Sequence, residues 1–248
     1  MKKNVLSVAL FAISLLSLSS CGNKQKTAEL SGAGATFPLP YYNESFKTYQ
    51  SETGVKVSYG GIGSGGGVRN LTDQIVDFAG SDAFLKDEEM KKLPAVVHIP
   101  TCMGAVVLAY KLKGVKDLKL TGSLVSDIFS GKVTMWNDAK LKAVNPGVNL
   151  PNMKIVPVFR SDGSGTTNVF TDYLSKVSPE WKAKYGSGKS VNFPTGQAAK
   201  GNPGVAGIIG QTEGSIGYIG SEYAFAQNIT YATLQNKQGE FVKPDTQS

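Results

Sequence analysis

Three glycine-rich turns constrain this chain most, because each stands immediately before a helical pattern. They are Ser31-Gly32-Ala33-Gly34-Ala35-Thr36-Phe37-Pro38, Gly60-Gly61-Ile62-Gly63-Ser64-Gly65-Gly66-Gly67 and Arg160-Ser161-Asp162-Gly163-Ser164-Gly165-Thr166-Thr167. Two of them follow strand-like residues. Small residues let a backbone turn tightly and approach a ligand. A helix N-terminus adds unpaired N–H groups and the positive end of the helix dipole. In the third turn Arg160 contributes planar donors that match oxyanion geometry, and Asp162 is expected to buttress it. Thr36 and Ser64 are expected to cap their helices, with Pro38 in the first turn of its own. One such turn is equally well read as a tight loop. Three that meet would form a site for phosphate, sulfate or a related tetrahedral anion.

Between these turns the chain alternates strand-like and helix-like runs, which predicts an α/β class. Val55 to Tyr59 alternates with period two, and Val96 to Ile99, Val106 to Tyr110, Ile155 to Phe159 and Ser215 to Ile219 read as further strands. Val68, Leu71, Ile75 and Val76 share one helical face. So do Leu124, Ile128 and Phe129, and also Val169, Phe170, Tyr173, Leu174 and Val177. Pro203 to Gly210 predicts a short helix. Trp136 and Trp181 are expected in core or interdomain packing, and Tyr41-Tyr42 in helix packing.

Asp82 lies among small residues in Asp77-Phe78-Ala79-Gly80-Ser81-Asp82-Ala83, read as a helix end passing into a strand-like turn. A carboxylate at an anion site is repulsive unless the anion brings a proton. Phosphate near neutral pH carries one, and sulfate does not. Sites that require a ligand hydroxyl reject analogues lacking it by roughly 10⁴–10⁵. On its position alone, Asp82 is equally a cap or turn residue. Catalysis finds little support. His98 is the single histidine and reads as structural. One histidine and one cysteine beyond the leader cannot build a usual zinc cluster, and no G-x-S-x-G elbow occurs. Gly61 to Gly66 fits a dinucleotide pattern formally, with Asp82 near a ribose distance, but the chain before it does not open a plain βαβ unit.

The N-terminus reads as a targeting leader. Lys2 and Lys3 precede an apolar and small-residue run from Val5 to Leu18, which ends at Leu18-Ser19-Ser20-Cys21. A small-residue site followed by cysteine is similar to a lipoprotein cleavage box, so Cys21 is the expected lipidation site, anchoring the chain to a membrane. Residues 21–29 read as a tether. Cys102, in an apolar stretch, is expected to be buried and inert. The net charge is +7, but its lysines are scattered among acids with no aromatic interleaving, which argues against nucleic acid.

Four blocks taken in order carry a family resemblance: Gly32 to Pro38, Gly61 to Gly66, Asp77 to Asp82 and Asp162 to Thr166. Ile128-Phe129-Ser130-Gly131 with Trp136, Asn145-Pro146-Gly147 and Gly214 to Tyr218 add to it. Together they resemble the phosphate-binding protein of the bacterial high-affinity phosphate ABC transporter. The resemblance implies a type II periplasmic-binding-protein fold, two α/β domains around a cleft. The expected boundaries are 30–101, 102–232 and a return segment 233–248 that stops short of the family's usual C-terminal part. It also implies phosphate-binding positions at Thr36, Phe37, Ser64, Asp82, Arg160, Ser164, Gly165 and Thr166, with Asp162 supporting Arg160. The implied partners are inorganic phosphate and an ABC-transporter permease with its ATPase. No cofactor or enzyme activity is implied, and the expected location is the cell envelope. Another oxyanion receptor, or an envelope phosphatase, is the alternative.

Overall fold

The computed structural model describes residues 29–93 and 95–244. The leader and the Cys21 lipidation site lie outside the described residues. Glu29, read as tether, opens the first strand instead.

The N-terminal part is a parallel three-stranded sheet with helices between its strands. Strand β1 (Glu29–Gly34) is central, β2 (Lys56–Gly61) pairs on one side and β3 (Phe78–Gly80) on the other. Helix α1 (Leu39–Thr53) links β1 to β2 and ends at Gly54, whose φ of 73° and N–H bond to Gln50 close the last turn. Helix α2 (Ser64–Thr72) links β2 to β3. Tyr42, Phe46, Tyr59 and Phe78 stack in one aromatic group, with ring centroids 4.9 Å apart for Tyr42–Phe46 and Tyr42–Tyr59. A short α3 (Asp87–Met90) follows.

The remainder is built on a four-stranded sheet in the order β4-β8-β6-β7. These strands are β4 (Val106–Tyr110), β8 (Ser215–Gly220), β6 (Val156–Arg160) and β7 (Gln197–Ala199). Every residue of β8 is buried, as an interior strand covered on both faces requires. On the side of α4 (Gly122–Phe129) and α6 (Gly165–Val177), Phe129, Phe170, Leu174, Tyr218, Trp136 and Trp181 form one core. Both indoles satisfy their N–H groups, Trp136 on the Gly214 carbonyl and Trp181 on that of Gly186, as buried tryptophans need. Helix α8 (Gly201–Gln211) covers the other face with Val205, Ala206 and Ile209. Helices α5 (Ala139–Val144) and α7 (Pro179–Lys184) complete the packing, and α9 (Ser221–Ala226) follows β8. Strands β9 (Thr233–Gln235) and β10 (Phe241–Val242) form a small sheet with β5 (Lys119–Leu120).

Several expectations are corrected. Val96 to Ile99 forms no strand, and Val97 and Ile99 are 81% and 73% exposed. β-branched residues need a neighbouring ladder, and here none pairs with them. Cys102 is exposed, not buried, since its segment runs outside the sheets. Helix α2 stops at Thr72, so Ile75 and Val76 lie beyond it, and Asp77 to Asp82 enters from β3 and not from a helix. Ser31 to Gly34 is the end of a strand, the turn proper starting at Ala35. Tyr42 packs, while Tyr41 is exposed. Among the described residues no helix is long and apolar enough to cross a membrane.

Candidate functional site

The parallel strands aim their carboxyl ends at one place, which is where open α/β sheets bind ligands. β1 ends at Gly34, two residues before Thr36. β2 ends at Gly61, three before Ser64, and β3 ends at Gly80, two before Asp82. The Gly34, Gly61 and Gly80 ends are in register, so the three following loops emerge side by side. From the other sheet, β6 ends on Arg160 and leads into α6 through Asp162 and Ser164.

These loops are hydrogen-bonded across the gap. Gly165 donates its N–H to Ser64 Oγ at 3.1 Å, and Asp82 N reaches the same oxygen at 3.4 Å. Thr166 Oγ1 donates to Asp82 Oδ2 at 3.0 Å. Gly65 N donates to the Gly163 carbonyl at 2.8 Å. The approach is backbone-close. A Cβ on Gly165 would lie 2.6 Å from Asp82 Cβ and 2.7 Å from Ser64 Oγ. Gly63 has φ of 87°, and a Cβ there would meet the Asp162 carboxylate at 2.2 Å.

Neither of the two predicted caps, Thr36 and Ser64, forms. Ser64 is the first residue of α2, with Gly63 at the cap position, and α1 is preceded by Pro38 without a side-chain cap. Both hydroxyls are used otherwise. Thr36 Oγ1 accepts from Asn202 N and Asn202 Nδ2, each at 3.0 Å. With its lone pairs so occupied, its own hydrogen is left available to donate. Ser64 Oγ, accepting from Gly165 and Asp82, is in the same condition. Ser164 does cap α6, accepting from Thr167 N at 3.0 Å.

Arg160 is the buried cation of the site, its side chain 1% exposed. Asp162 grips it at two points, Nε to Oδ1 at 2.7 Å and Nη2 to Oδ2 at 2.6 Å. Nη1 lies 3.5 Å from Thr166 Oγ1. These contacts leave guanidinium hydrogens for a further acceptor. Burial pushes the Asp162 carboxyl up, but the Arg160 pairing and the Gly201 N–H, at 3.0 Å, outweigh it and hold it below the ordinary range. Asp82 differs. Burial pushes it up, and the Thr166 hydroxyl and Arg160 charge only partly offset that. One carboxylate is thus committed to arginine, while the other keeps spare acceptor capacity and forms no ion pair among the described residues.

The residues expected at a site therefore converge: Thr36, Ser64 and Asp82 from the first sheet, and Arg160, Ser164, Gly165 and Thr166 from the second. Phe37 is half-buried beside Thr36, with its ring against Gly104. His98 is apart, accepting from Leu85 N at 3.3 Å and packing edge-on against Phe84. Three members went unread in the sequence. Asn202 is fully buried and links Thr36 Oγ1, Thr166 Oγ1 (3.3 Å) and Gly220 N (3.1 Å). Tyr223 donates its hydroxyl to the Thr36 carbonyl. Tyr218 takes Arg160 N at 3.1 Å and shares a 2.8 Å hydrogen bond with Thr167. A polar residue in Gly201-Asn202-Pro203 at the head of an otherwise apolar helix was the available signal. Among the described residues no group of three or more His, Cys, Asp or Glu side chains could hold a metal ion.

Comparison with known proteins agrees with this architecture. A family model described as the PBP superfamily domain matches residues 22–247. The chain is 45% identical to the phosphate-binding protein PstS of Haemophilus influenzae over 221 residues, covering 88% of this chain and 66% of that one. The relatives it matches are longer, and it spans between 60% and 66% of their length. Among solved structures, a Clostridium perfringens protein with bound phosphate superposes with a TM-score of 0.68. That match has 21% identity and covers 87% of this chain and 84% of the other. A phosphate-binding protein from Stenotrophomonas maltophilia gives 0.67 at 23% identity, covering 85% and 65%. These likenesses establish the α/β binding-protein fold expected from the sequence.

Proposed function

We propose a receptor for inorganic phosphate, because this chain belongs to the PBP superfamily and its converging donors meet beside Asp82, a carboxylate that forms no ion pair among the described residues. The ligand would sit between the two lobes, which we assign to residues 30–101 and 102–232. Thr36 and Ser64 would donate their hydroxyl hydrogens. The Phe37 backbone, the N-terminus of α6 at Ser164, Gly165 and Thr166, and the remaining hydrogens of Arg160 would supply the rest. Asp82 would accept the phosphate proton.

The single observation that carries the reading is the contrast between Asp82 and Asp162. A site for any anion needs only the arginine and the N–H groups. A buried carboxylate without a cation penalises an anion that brings no hydrogen. Helix-end charge effects of ~0.3–1 kcal/mol and charge-assisted hydrogen bonds of roughly 1.5–3 kcal/mol each could together offset dehydration of a small dianion.

Delivery to an ABC-transporter permease and its ATPase is part of the proposal, supported by the phosphate transport proteins that this chain resembles. Lipid attachment at Cys21, in the cell envelope, is supported by the leader sequence. Binding without turnover is the reading we adopt, supported by the phosphate-binding proteins that this chain resembles.

Calorimetric titration tests it. Inorganic phosphate should bind and sulfate should not compete at matched concentration. Asp82→Asn should narrow that preference by at least tenfold, since the penalty on sulfate is then lost. Equal affinities for the two anions in the unaltered chain would defeat the role given to Asp82.

A further inference from the structure

One ion pair joins the two sides of the site from outside the ligand-facing set. Lys189 Nζ lies 2.9 Å from Glu89 Oε1, with the side chains 19% and 37% exposed. Glu89 belongs to α3, just beyond the Asp82 loop. Lys189 lies in the loop between α7 and β7. Among the described residues, the other ion pairs each stay on one side.

Both partners are anchored to the site. Glu89 uses its second oxygen, Oε2, to accept Lys86 N at 2.9 Å, which ties the carboxylate to the start of α3. The carboxylate is therefore fixed before Lys189 reaches it. The Lys189 carbonyl accepts the N–H of Ser164 at 2.8 Å, and Ser164 caps α6, whose N-terminus faces the anion. A shift of α3 away from the second lobe would break the ion pair, and a shift of the Lys189 loop would disturb the cap. Backbone bonding from Lys86 and the Lys189 ammonium keep Glu89 below its ordinary range, so that carboxylate stays charged near neutral pH.

We infer that Glu89 and Lys189 are positioning residues whose contact holds the lobes together over a bound anion and so limits how fast it leaves. The inference rests on the phosphate reading above. Neither side chain needs to touch the ligand. A contact made across a closing interface acts on dissociation, whereas an isolated rim charge acts mainly on encounter.

Stopped-flow measurement of inorganic phosphate binding to the purified chain separates these. Lys189→Ala and Glu89→Gln should each speed dissociation roughly three- to tenfold, with smaller effects on association. Glu89→Gln is the decisive variant. If Lys189 merely attracted anions, removing a nearby negative charge would leave release unchanged or slower, and that result overturns the inference. Exchanging the charges, Glu89→Lys with Lys189→Glu, should restore slow release. Phosphate binding with unaltered release in both single variants would sink this contact alone. Failure of the unaltered chain to bind phosphate would sink the phosphate reading and this contact with it.

Discussion

Glu222 is the residue whose environment most resembles a stored cost. Its Oε1 is buried and has no hydrogen-bond partner in the structure, and the side chain folds back over Gly220. Burial, with added repulsion from Asp82, pushes its carboxyl from 4.5 up to about 7. A carboxyl raised on folding stabilises the fold while protonated. That contribution is complete below the unfolded value near 4.5 and is lost as pH rises through about 7. Glu222→Gln keeps the position neutral at every pH. After allowance for solvent screening, it should raise unfolding free energy by about 1–2 kcal/mol at pH 8 and by almost nothing at pH 4.5. Urea denaturation at the two pH values checks this, and an equal effect at both would reject it. The same repulsion links Glu222 to Asp82, so a proton taken up by either eases the burial of the other.

Among the elements, α6 shows how a small residue can matter through what it leaves out. Replacing glycine by alanine in a helix normally stabilises by roughly 1 kcal/mol. At Gly165 the added Cβ would instead push against Asp82 and Ser64. Gly165→Ala should weaken phosphate binding by about 1–3 kcal/mol, the usual cost of overpacking, while circular dichroism shows the helix intact. Undiminished affinity in a titration would mean that the two lobes need not approach so closely.

Helix α6 was also the most legible element. Phe170 and Leu174 are buried at helical spacing behind a serine cap, while Val169 and Val177, read onto the same face, are exposed. The Arg160–Asp162 pairing was legible too, because the two residues are neighbours in the chain. Thr36 and Ser64 were misread as caps for the opposite reason. Their partners, Asn202 and Gly165, lie 166 and 101 residues away, and no local window contains them. Val96 to Ile99 failed likewise, since a strand is made by a neighbour and not by β-branched residues alone. Cys102 was judged by its apolar neighbours, but Met103 beside it is 99% exposed.

For the whole molecule, the site is an assembly of distant pieces held over two independently sensible sheets. Each sheet draws on its own sequence neighbourhood, the first on residues 29–80 and the four-stranded one on 106–220. What joins them is different in kind. Tyr223 reaches the Thr36 carbonyl across 187 residues, and Lys189 reaches Glu89 across 100. Closing such large loops costs chain entropy before any contact repays it. Refolding should therefore proceed in order. Tryptophan fluorescence from Trp136 and Trp181 would report the inner core early, and the capacity to capture phosphate would emerge as a later kinetic phase. Simultaneous appearance of both signals after dilution from urea would contradict that sequence of events. A newly made chain on this plan passes through an interval in which it is already compact yet still blind to its ligand.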